Sequence, residues 1–353
     1  MKKSTYIIGV MSGTSLDGID LAYVKINEEN SYDFEIIHAT TIPYSKEWQQ
    51  KLKNAFTISA EKITKLDADY SCFLSDLIQQ YITDQQITKL DLIASHGHTI
   101  FHNPAEHYTL QIGNTPAIIN KTQIKTICNF RINDVALGGQ GAPLVPIGDM
   151  LLFSEYTFCL NIGGFANISH QKGTERLAYD ICPTNIVMNE YMRKLGKEYD
   201  DKGQLAASGK IHNALLTALN ALPFYTDKKP KSLGYEFVVD TIFPILNNYS
   251  LSTPDLLRTY VEHCAIQIAS KTNNNATDTL LITGGGAFNT FLVERIQYHT
   301  KTTIVLPDPL IINYKEALIF AFLGYLKDLN QINCLKSVTG AVKNHSGGII
   351  YTI

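Results

Sequence analysis

Apolar and polar positions partly alternate along short segments at the start of the chain, a pattern typical of half-buried β-strands. The predicted opening strands are 5–10, 19–26 and 34–42, and the partial alternation is seen in the last two. A tight polar turn joins the first two, so we expect a β-hairpin there. Apolar residues then recur at helical spacing. The further predicted elements of this half are helices near 46–57, 61–82 and 115–122 and strands at 92–94 and 108–112.

The second half repeats this order of elements. Its predicted strands are 158–162, 166–169, 176–179, 279–283 and 303–306, and its predicted helices are 186–195, 213–222, 254–271, 288–300 and 314–328. A strand, a glycine turn and a second strand open each half, and helices follow, which suggests two similar α/β lobes. We expect lobe I to contain residues 1–140 and a C-terminal segment of about 330–353, and lobe II to contain 141–329.

Composition favours a globular enzyme. The chain has 353 residues, of which 45% are hydrophobic and 18% charged, typical of a folded protein long enough for two domains. Its net charge of −3 leaves no basic excess for nucleic acid. The six cysteines form no C-x-x-C pair, and the apolar runs near both ends are too short for a signal peptide or a membrane span. These features predict a cytoplasmic protein without a nucleic-acid or membrane partner, and they are compatible with a small phosphate-bearing ligand.

The first glycine turn, residues 9–18, carries the strongest chemical signal. Glycines and hydroxyl residues in a hairpin turn can present several donors to phosphate oxygens; those predicted to bind the cofactor are Gly9, Ser12, Gly13, Thr14, Ser15 and Asp17. Either Asp17 or Asp20 could hold Mg²⁺, which usually takes one or two protein carboxylates. The alternative is a plain polar hairpin.

Two further glycine turns lie in the second half. Paired glycines between two strands let a ligand approach the backbone, and a glycine turn before a helix can face a nucleoside or an anion. The candidate cofactor-binding residues there are Asn161, Gly163, Gly164, Gly284, Gly285, Gly286 and Asn289. Simple close packing is the alternative for both turns. The sequence contains no P-loop, dinucleotide fingerprint or G-x-S-x-G motif.

The spacing of the three turns resembles the sugar-kinase, actin and heat-shock-chaperone superfamily, which implies an α/β fold of two ribonuclease-H-like lobes with an ATP cleft between them. Eight blocks in order across the chain resemble the anhydro-N-acetylmuramic acid kinases. They are G-V-M-S-G-T-S-L-D-G-I-D (9–20), S-H-G-x-T-I (95–100), L-Q-I-G-N (110–114), G-G-Q-G-A-P-L-V-P (138–146), N-I-G-G-F-A-N (161–167), P-K-S-x-G-x-E (230–236), G-G-G-A-F-N (284–289) and V-T-G-A (338–341).

The resemblance implies that the protein uses ATP, Mg²⁺ and water to open the 1,6-anhydro ring of the sugar and phosphorylate O6, giving N-acetylmuramic acid 6-phosphate. It also implies a homodimer. Asp180 falls in the position of the family's general base, with the N-cap of the next helix as the alternative. Arg131 matches a residue that could bind the lactyl carboxylate; a structural ion pair is its alternative. Glu316 matches a glutamate near the cleft, and could equally be a first-turn helix carboxylate.

Asn185 ends the block that contains the base, and we expect it to bind substrate. His98 is expected to line the sugar pocket where the family has glutamine. His96, His98, His102 and His107 could also suggest a metal, but no second set of ligands accompanies them.

The match departs from the family mainly on the sugar side. The substituted positions are His98, Asn129, Gly148, Asp149, Cys182, Thr184 and Tyr235. Thr184 adds a side chain where a close backbone approach is expected, so we predict a changed pocket shape. Two alternative functions therefore remain: a kinase for another anhydro sugar or sugar acid, and a non-catalytic ATP- or sugar-binding sensor.

Overall fold

The structure, a computed structural model, describes residues 4–13, 16–28, 31–226, 231–272 and 275–353. The chain divides into two compact units. Unit one contains Met1–Leu152 and Tyr314–Ile353, and unit two contains Phe153–Asn313. The sequence placed these boundaries at 140/141 and near 330, so the C-terminal return to unit one begins earlier than expected.

Unit one is built on a seven-stranded sheet. Its strands are β1 (Ser4–Ser12), β2 (Gly18–Glu28), β3 (Tyr32–Pro43), β4 (Leu92–Asn103), β5 (Tyr108–Ile112), β6 (Thr126–Cys128) and β12 (Ile349–Tyr351). Their order is β12-β6-β4-β1-β2-β3, and β5 pairs with β4. The first three strands form an antiparallel meander, whereas β1, β4 and β6 are parallel. The carboxyl ends of β1, β4 and β6 therefore meet at one edge.

Unit two is built on a five-stranded sheet with the same beginning. Its strands are β7 (Phe158–Ile162), β8 (Phe165–Lys172), β9 (Glu175–Pro183), β10 (Thr279–Thr283) and β11 (Thr303–Val305). Their order is β11-β10-β7-β8-β9. As in unit one, an antiparallel three-stranded meander is extended by parallel strands next to its first strand. This shared order is that of a ribonuclease-H-like lobe, and the α/β prediction is confirmed.

Helices pack on both sheets. Unit one contains α1 (Lys46–Asn54), α2 (Ala60–Asp84), α3 (Ala117–Thr122), α4 (Ile132–Ala136), α5 (Pro146–Leu152) and α15 (Lys336–Thr339). Unit two contains α6 (Asn185–Arg193), α7 (Gln204–Ser208), α8 (Asn213–Asn220), α9 (Pro223–Thr226), α10 (Tyr235–Phe237), α11 (Phe243–Asn247), α12 (Thr253–Ala269) and α13 (Thr290–His299). A π-helical turn, Val238–Ile242, joins α10 to α11. Short 3₁₀ turns occupy Ala55–Thr57, Pro104–Glu106, Asp201–Gly203 and Gly285–Phe288.

The long helix α14 (Pro309–Asp328) crosses the boundary between the units and has a non-helical residue at Tyr314. It is long and apolar enough to cross a bilayer, but 67% of its apolar window is buried inside the protein. Such burial is typical of a core helix. In unit one, Gly9 of β1 lies against this helix, and a Cβ there would come within 1.9 Å of the Ala317 carbonyl oxygen.

A buried carboxylate joins two helices of unit two. Glu262 on α12 accepts hydrogen bonds from Arg258 Nη1 at 2.7 Å and from Arg295 Nε and Nη2 at 2.8 Å. His299 Nε2 lies 2.7 Å from Glu262 Oε1, the oxygen that also accepts from Arg295 Nη2. Burial by itself would raise the pKa of Glu262, but the bonds from Arg295, Arg258 and His299 outweigh it and lower the pKa to about 2. We call these four residues the Glu262 cluster.

Replacing Glu262 with Gln is expected to destabilise unit two. The amide cannot neutralise the two arginines, and losing one member of a buried ion pair costs about 3 kcal/mol where its partners are partly exposed. Because folding lowers the pKa of Glu262, its stabilising contribution is present above the unfolded value and is lost as the pH falls toward 2. A lower urea midpoint for E262Q would support this. Glu294→Gln, an exposed change on α13, is the control, and equal midpoints for both variants would contradict the expectation.

Candidate active site

The predicted site residues of unit one gather at the carboxyl edge of its parallel strands. Ser12 ends β1 and lies opposite His98 of β4 in the sheet register. Arg131 follows β6 by three residues and is the N-cap of α4. The edge formed by β1, β4 and β6 therefore brings together three residues that are up to 119 positions apart in sequence.

Ser12 and His98 belong to a buried network rather than to an open surface. Each is 3% exposed. The Ser12 hydroxyl lies 2.8 Å from His98 Nδ1 and 2.6 Å from the Tyr44 hydroxyl, which lies 2.6 Å from the Tyr70 hydroxyl. Burial lowers the pKa of His98 to about 4, so the ring is neutral at physiological pH. The Ser12 hydroxyl thus has internal partners, and its contact with phosphate stays a prediction.

Arg131 is oriented by two neutral partners. Its Nε donates to His96 Nε2 at 2.9 Å, and its Nη1 donates to the Gly141 carbonyl at 2.6 Å. Since the guanidinium can only donate, His96 Nε2 is the acceptor and Nδ1 carries the hydrogen, which it donates to the Gly97 carbonyl at 2.9 Å. Burial, and next Arg131, hold the pKa of His96 well below its usual value. The ion-pair alternative for Arg131 is not seen among the described residues.

Three carboxylates in unit one influence one another electrostatically. Burial raises the pKa of Asp20, and Asp17 raises it further, against a 2.6 Å hydrogen bond from Thr41. The side chain of Glu316 is exposed on one side, but the protein atoms around it still raise the pKa of its carboxyl. The charge of Arg131 lowers this pKa, and the charge of Asp20 raises it. Burial lowers the pKa of Arg131 to about 10, which leaves it charged at neutral pH.

In unit two the second and third glycine turns meet at one edge of the sheet. β7 and β10 are parallel neighbours, with Asn161 opposite Thr283, so the turns that follow these strands are adjacent. The chain reverses direction from β7 to β8 and again from β8 to β9, so β9 is parallel to β7 and β10. The carboxyl end of β9 therefore also reaches this edge. The backbone nitrogen of Asn185, the first residue of α6, donates to the Gly163 carbonyl at 3.3 Å.

Asp180 lies inside β9, three residues before its end, and not after a strand as the sequence suggested. The strand is longer than predicted because β9 continues to pair with β8 as far as Pro183, beyond a bulge at Ile181. Its Oδ2 accepts the Leu233 backbone N–H at 2.7 Å. Burial raises the pKa of Asp180, and this hydrogen bond partly opposes the shift. The N-cap of α6 is Thr184, so the capping alternative for Asp180 is wrong.

Comparison with known proteins decides the family. The sequence profile described as "Anhydro-N-acetylmuramic acid kinase" matches residues 5–353. The chain belongs to the anhydro-N-acetylmuramic acid kinase family. Proteins of that name from Pasteurella multocida and Vibrio parahaemolyticus are 36% and 35% identical to it, over 99% and 100% of this chain and 98% and 100% of theirs. Among solved structures, a xylulose kinase from Lactobacillus acidophilus is 12% identical, with a TM-score of 0.46 over 93% of this chain and 91% of that chain. This similarity is too remote to support a conclusion about function.

Two departures from the family pattern have internal partners in this member. Thr184 is fully buried, and its hydroxyl donates to the Gly163 carbonyl at 2.9 Å. It therefore packs on the glycine turn, and its effect on the shape of a pocket stays a prediction. Asp149 pairs with Lys315 at 2.7 Å, with both side chains nearly buried. Lys315 precedes the family glutamate Glu316, and without a partner its buried charge would be costly.

The glycines of the family motifs separate into two groups. A Cβ on Gly9 or Gly286 would meet protein atoms at 1.9 or 2.2 Å, and Gly284 has a φ of +80°. Packing and backbone conformation account for these three. By contrast, a Cβ on Gly163 or Gly164 would have only ordinary contacts at 3.6 Å or more, and one on Gly285 would meet nothing within 4 Å. No contact within the protein requires glycine at the positions of this second group, as expected where a ligand approaches the backbone.

Other predicted residues have mixed outcomes. Asn289 caps α13, because its Oδ1 accepts the Leu292 N–H at 3.0 Å, so its side chain has a structural role. Glu316 is in α14 just after the non-helical Tyr314. Thr14 and Ser15 lie outside the described residues. The four histidines do not form a metal-capable group in the described part of the chain, where the group found is Asp134, Cys334 and His345.

The sequence suggested no role for Asp134 or Gly141, and for His96 only membership of a possible metal site. The G-G-Q-G-A and V-T-G-A blocks were the available signal, since they come together around Asp134: Gly141 N and Thr339 Oγ1 both donate to its carboxylate at 2.7 Å.

Adding a methyl group to Gly285 is expected to weaken ATP binding without affecting the fold. The new Cβ would have free space in the protein, so the melting temperature should be unchanged, whereas a clash with nucleotide should raise the KM for ATP about tenfold, or about 1.4 kcal/mol. Steady-state kinetics and thermal melting of Gly285→Ala measure both quantities.

The neighbouring Gly286→Ala is the matched control. Its Cβ would come within 2.2 Å of Ile162 Cγ2, so this variant should lose stability. A Gly285→Ala protein with the wild-type KM for ATP would show that this turn does not approach the nucleotide.

Proposed function

We propose that the protein is an ATP-dependent kinase that opens the 1,6-anhydro ring of anhydro-N-acetylmuramic acid with water and phosphorylates O6. The product is N-acetylmuramic acid 6-phosphate. The observation that carries this proposal is the family match over residues 5–353, with Asp180 retained at the position of the family's base. The other two candidate functions have no observation in their favour.

The reaction needs one proton acceptor and one phosphoryl transfer. Water adds to C1 as the C1–O6 bond breaks, O6 forms a bond to the γ-phosphorus, and ADP leaves. Asp180 accepts the proton from water. Within the described residues its hydrogen bond uses Oδ2, which leaves Oδ1 for the water, and the raised pKa of Asp180 makes it a stronger base than a solvated carboxylate.

ATP binding in unit two is assigned to the edge where the second and third glycine turns meet, and the glycines without a packing reason, Gly163, Gly164 and Gly285, would lie against the nucleotide. The family resemblance assigns phosphate binding to the first glycine turn of unit one. Asn185 is assigned to the sugar, as is Arg131, whose charge suits the lactyl carboxylate.

Mg²⁺ fits the carboxylates of unit one. Oxygen donors suit this ion, which keeps several waters and needs only one or two protein carboxylates. Asp17 and Asp20 would hold it. Burial, and to a smaller extent the charge of Asp17, raise the pKa of Asp20, and a divalent cation would offset both effects. When bound, Mg²⁺ supplies positive charge for the phosphoryl group.

Localisation in the cytoplasm and assembly as a homodimer complete the proposal. Both come from the family resemblance and the sequence pattern, and gel filtration with light scattering tests the dimer.

A single isotope experiment tests the reaction. Purified protein is mixed with Mg-ATP and 1,6-anhydro-N-acetylmuramic acid in H₂¹⁸O, quenched quickly, and analysed by mass spectrometry. We expect equal amounts of ADP and sugar 6-phosphate, with ¹⁸O at C1 and none in the phosphate.

Two outcomes would contradict the proposal. ADP and ¹⁸O-labelled inorganic phosphate without sugar phosphate would indicate a simple ATPase. No turnover with this sugar, followed by turnover with another anhydro sugar, would transfer the assignment to that substrate.

A further inference from the structure

A buried aspartate in unit one, Asp134, and the polar side chains around it have no role in the reaction described so far. Asp134 is 0% exposed. Its Oδ1 accepts from Thr339 Oγ1 at 2.7 Å, His345 Nε2 at 2.9 Å and Cys334 Sγ at 3.0 Å. Its Oδ2 accepts from the Gly141 backbone N–H at 2.7 Å. We call Asp134, Cys334, Thr339 and His345 the Asp134 cluster.

The geometry is that of a hydrogen-bond centre and not of a metal site. In a metal site the ligand atoms surround a common point about 2.0–2.3 Å from each. Here the common point is Asp134 Oδ1 itself, and its three partners carry the hydrogens. Burial also raises the pKa of the Cys334 thiol, and Asp134 raises it further, so the thiol keeps its proton. The cluster therefore fixes the position of one carboxylate.

That carboxylate is connected to Arg131 through one residue. Gly141 donates its N–H to Asp134 Oδ2 and offers its carbonyl to Arg131 Nη1 at 2.6 Å. Gly141 has a φ of +66°, a conformation that glycine readily adopts. The loop that contains Gly141 also packs against the carboxylate at Gly139, where an added Cβ would lie 2.1 Å from Asp134 Oδ2. Moving Asp134 would thus move one of the two groups that orient the guanidinium, His96 being the other.

We propose that Asp134 is a positioning residue, which sets the orientation of the Arg131 guanidinium through Gly141 and so determines how tightly the enzyme binds the carboxylate of its sugar substrate. This inference rests on the proposed function for the substrate, but its structural part does not. The cluster joins two family motifs to the residue assigned to the sugar, so its effect should fall on sugar binding and not on ATP.

The test is Asp134→Asn, which keeps the volume of the side chain and alters its charge and acceptors. The KM for the anhydro sugar should rise about tenfold through misplacement of Arg131, with kcat and the KM for ATP changing much less. In an Arg131→Ala background, the same change should have no further effect on the sugar KM, because the residue it acts through is absent. Additive effects of the two changes would overturn the proposal.

A second readout does not depend on turnover. In a ¹H–¹⁵N spectrum the Nη–H signal of Arg131, assigned by its loss in Arg131→Lys, should be protected from exchange in the wild type, where Nη1 donates to Gly141, and exposed in Asp134→Asn. An unchanged signal would overturn the proposal even if the wild type had no activity with this sugar. Inactive wild type with a shifted signal would instead refute the proposed function and leave the positioning role standing.

Two further variants separate positioning from stability. Glu262→Gln also breaks a buried carboxylate cluster, but in unit two, and should lower stability while leaving the Arg131 signal intact. Thr339→Val removes one donor to Asp134 Oδ1 and should give a smaller change of the same kind as Asp134→Asn, which covers the case in which Asp134→Asn does not fold. A signal disturbed equally in Glu262→Gln would count against a specific link.

Discussion

Replacing Asp180 with Asn is expected to lower kcat by about 10³-fold, within the range that general acid–base catalysis contributes. The amide cannot accept the proton that water gives up as it adds to C1. Its oxygen can still accept the Leu233 N–H that Oδ2 now accepts at 2.7 Å, so β9 should keep its geometry. Single-turnover assays with Mg-ATP and the anhydro sugar measure the chemical step directly.

The stability of Asp180→Asn should not fall with its activity. Because burial raises the pKa of Asp180, the folded protein binds this proton more tightly than the unfolded chain does. The associated stabilisation is present below the unfolded pKa and is lost as the pH rises through the folded pKa. At pH 7 the wild type therefore carries an unfavourable buried charge that Asn removes, and the melting temperature of Asp180→Asn should equal or exceed that of the wild type.

The pH profile gives an independent check on the role of Asp180. In the wild type, kcat/KM should fall on the acid side with an apparent pKa above that of a solvated aspartate, since only the ionised base acts. Asp240→Asn, an exposed change in the same unit, should leave this profile unchanged. Residual activity of Asp180→Asn above a tenth of the wild type would exclude Asp180 as the base.

The fold was most predictable where the signal is local. The strands around the glycine turns were found because short runs rich in apolar residues flank the glycines, a pattern visible from neighbouring residues alone. By contrast β6 and β12 have three residues each and are strands only because they pair with each other and, for β6, with β4. The helical segment from Tyr235 to Asn247 has no clear period in the sequence and was missed for that reason.

Sequence found most of the candidate site residues but could not say what each does. Gly9 and Gly285 look alike in the motifs, yet the first makes room for the Ala317 carbonyl and the second faces open space. Likewise the sequence suggested the Ser12 hydroxyl as a phosphate donor but could not show its contact with His98, 86 residues away. These distinctions depend on tertiary neighbours, which a single sequence does not contain.

Arg131→Ala is expected to reduce kcat/KM for the anhydro sugar by about 10²-fold or more, as loss of one partner of a desolvated charge pair usually does. The guanidinium keeps its charge at pH 7, since its pKa falls only to about 10 on burial. It is also already oriented by His96 and Gly141, so little entropy is lost on binding a carboxylate. The loss should appear mainly in KM for the sugar, and the KM for ATP should not change.

The substrate supplies the matched control for this prediction. 1,6-Anhydro-N-acetylglucosamine lacks the lactyl carboxylate, so the wild type should use it poorly and Arg131→Ala should use it no worse. Arg131→Lys should be intermediate, because lysine keeps the charge but loses the planar fork and the bond to His96. If Arg131→Ala impairs both sugars equally, Arg131 acts on some other part of the reaction, and Glu316, whose raised pKa Arg131 opposes, becomes the group through which that effect would run.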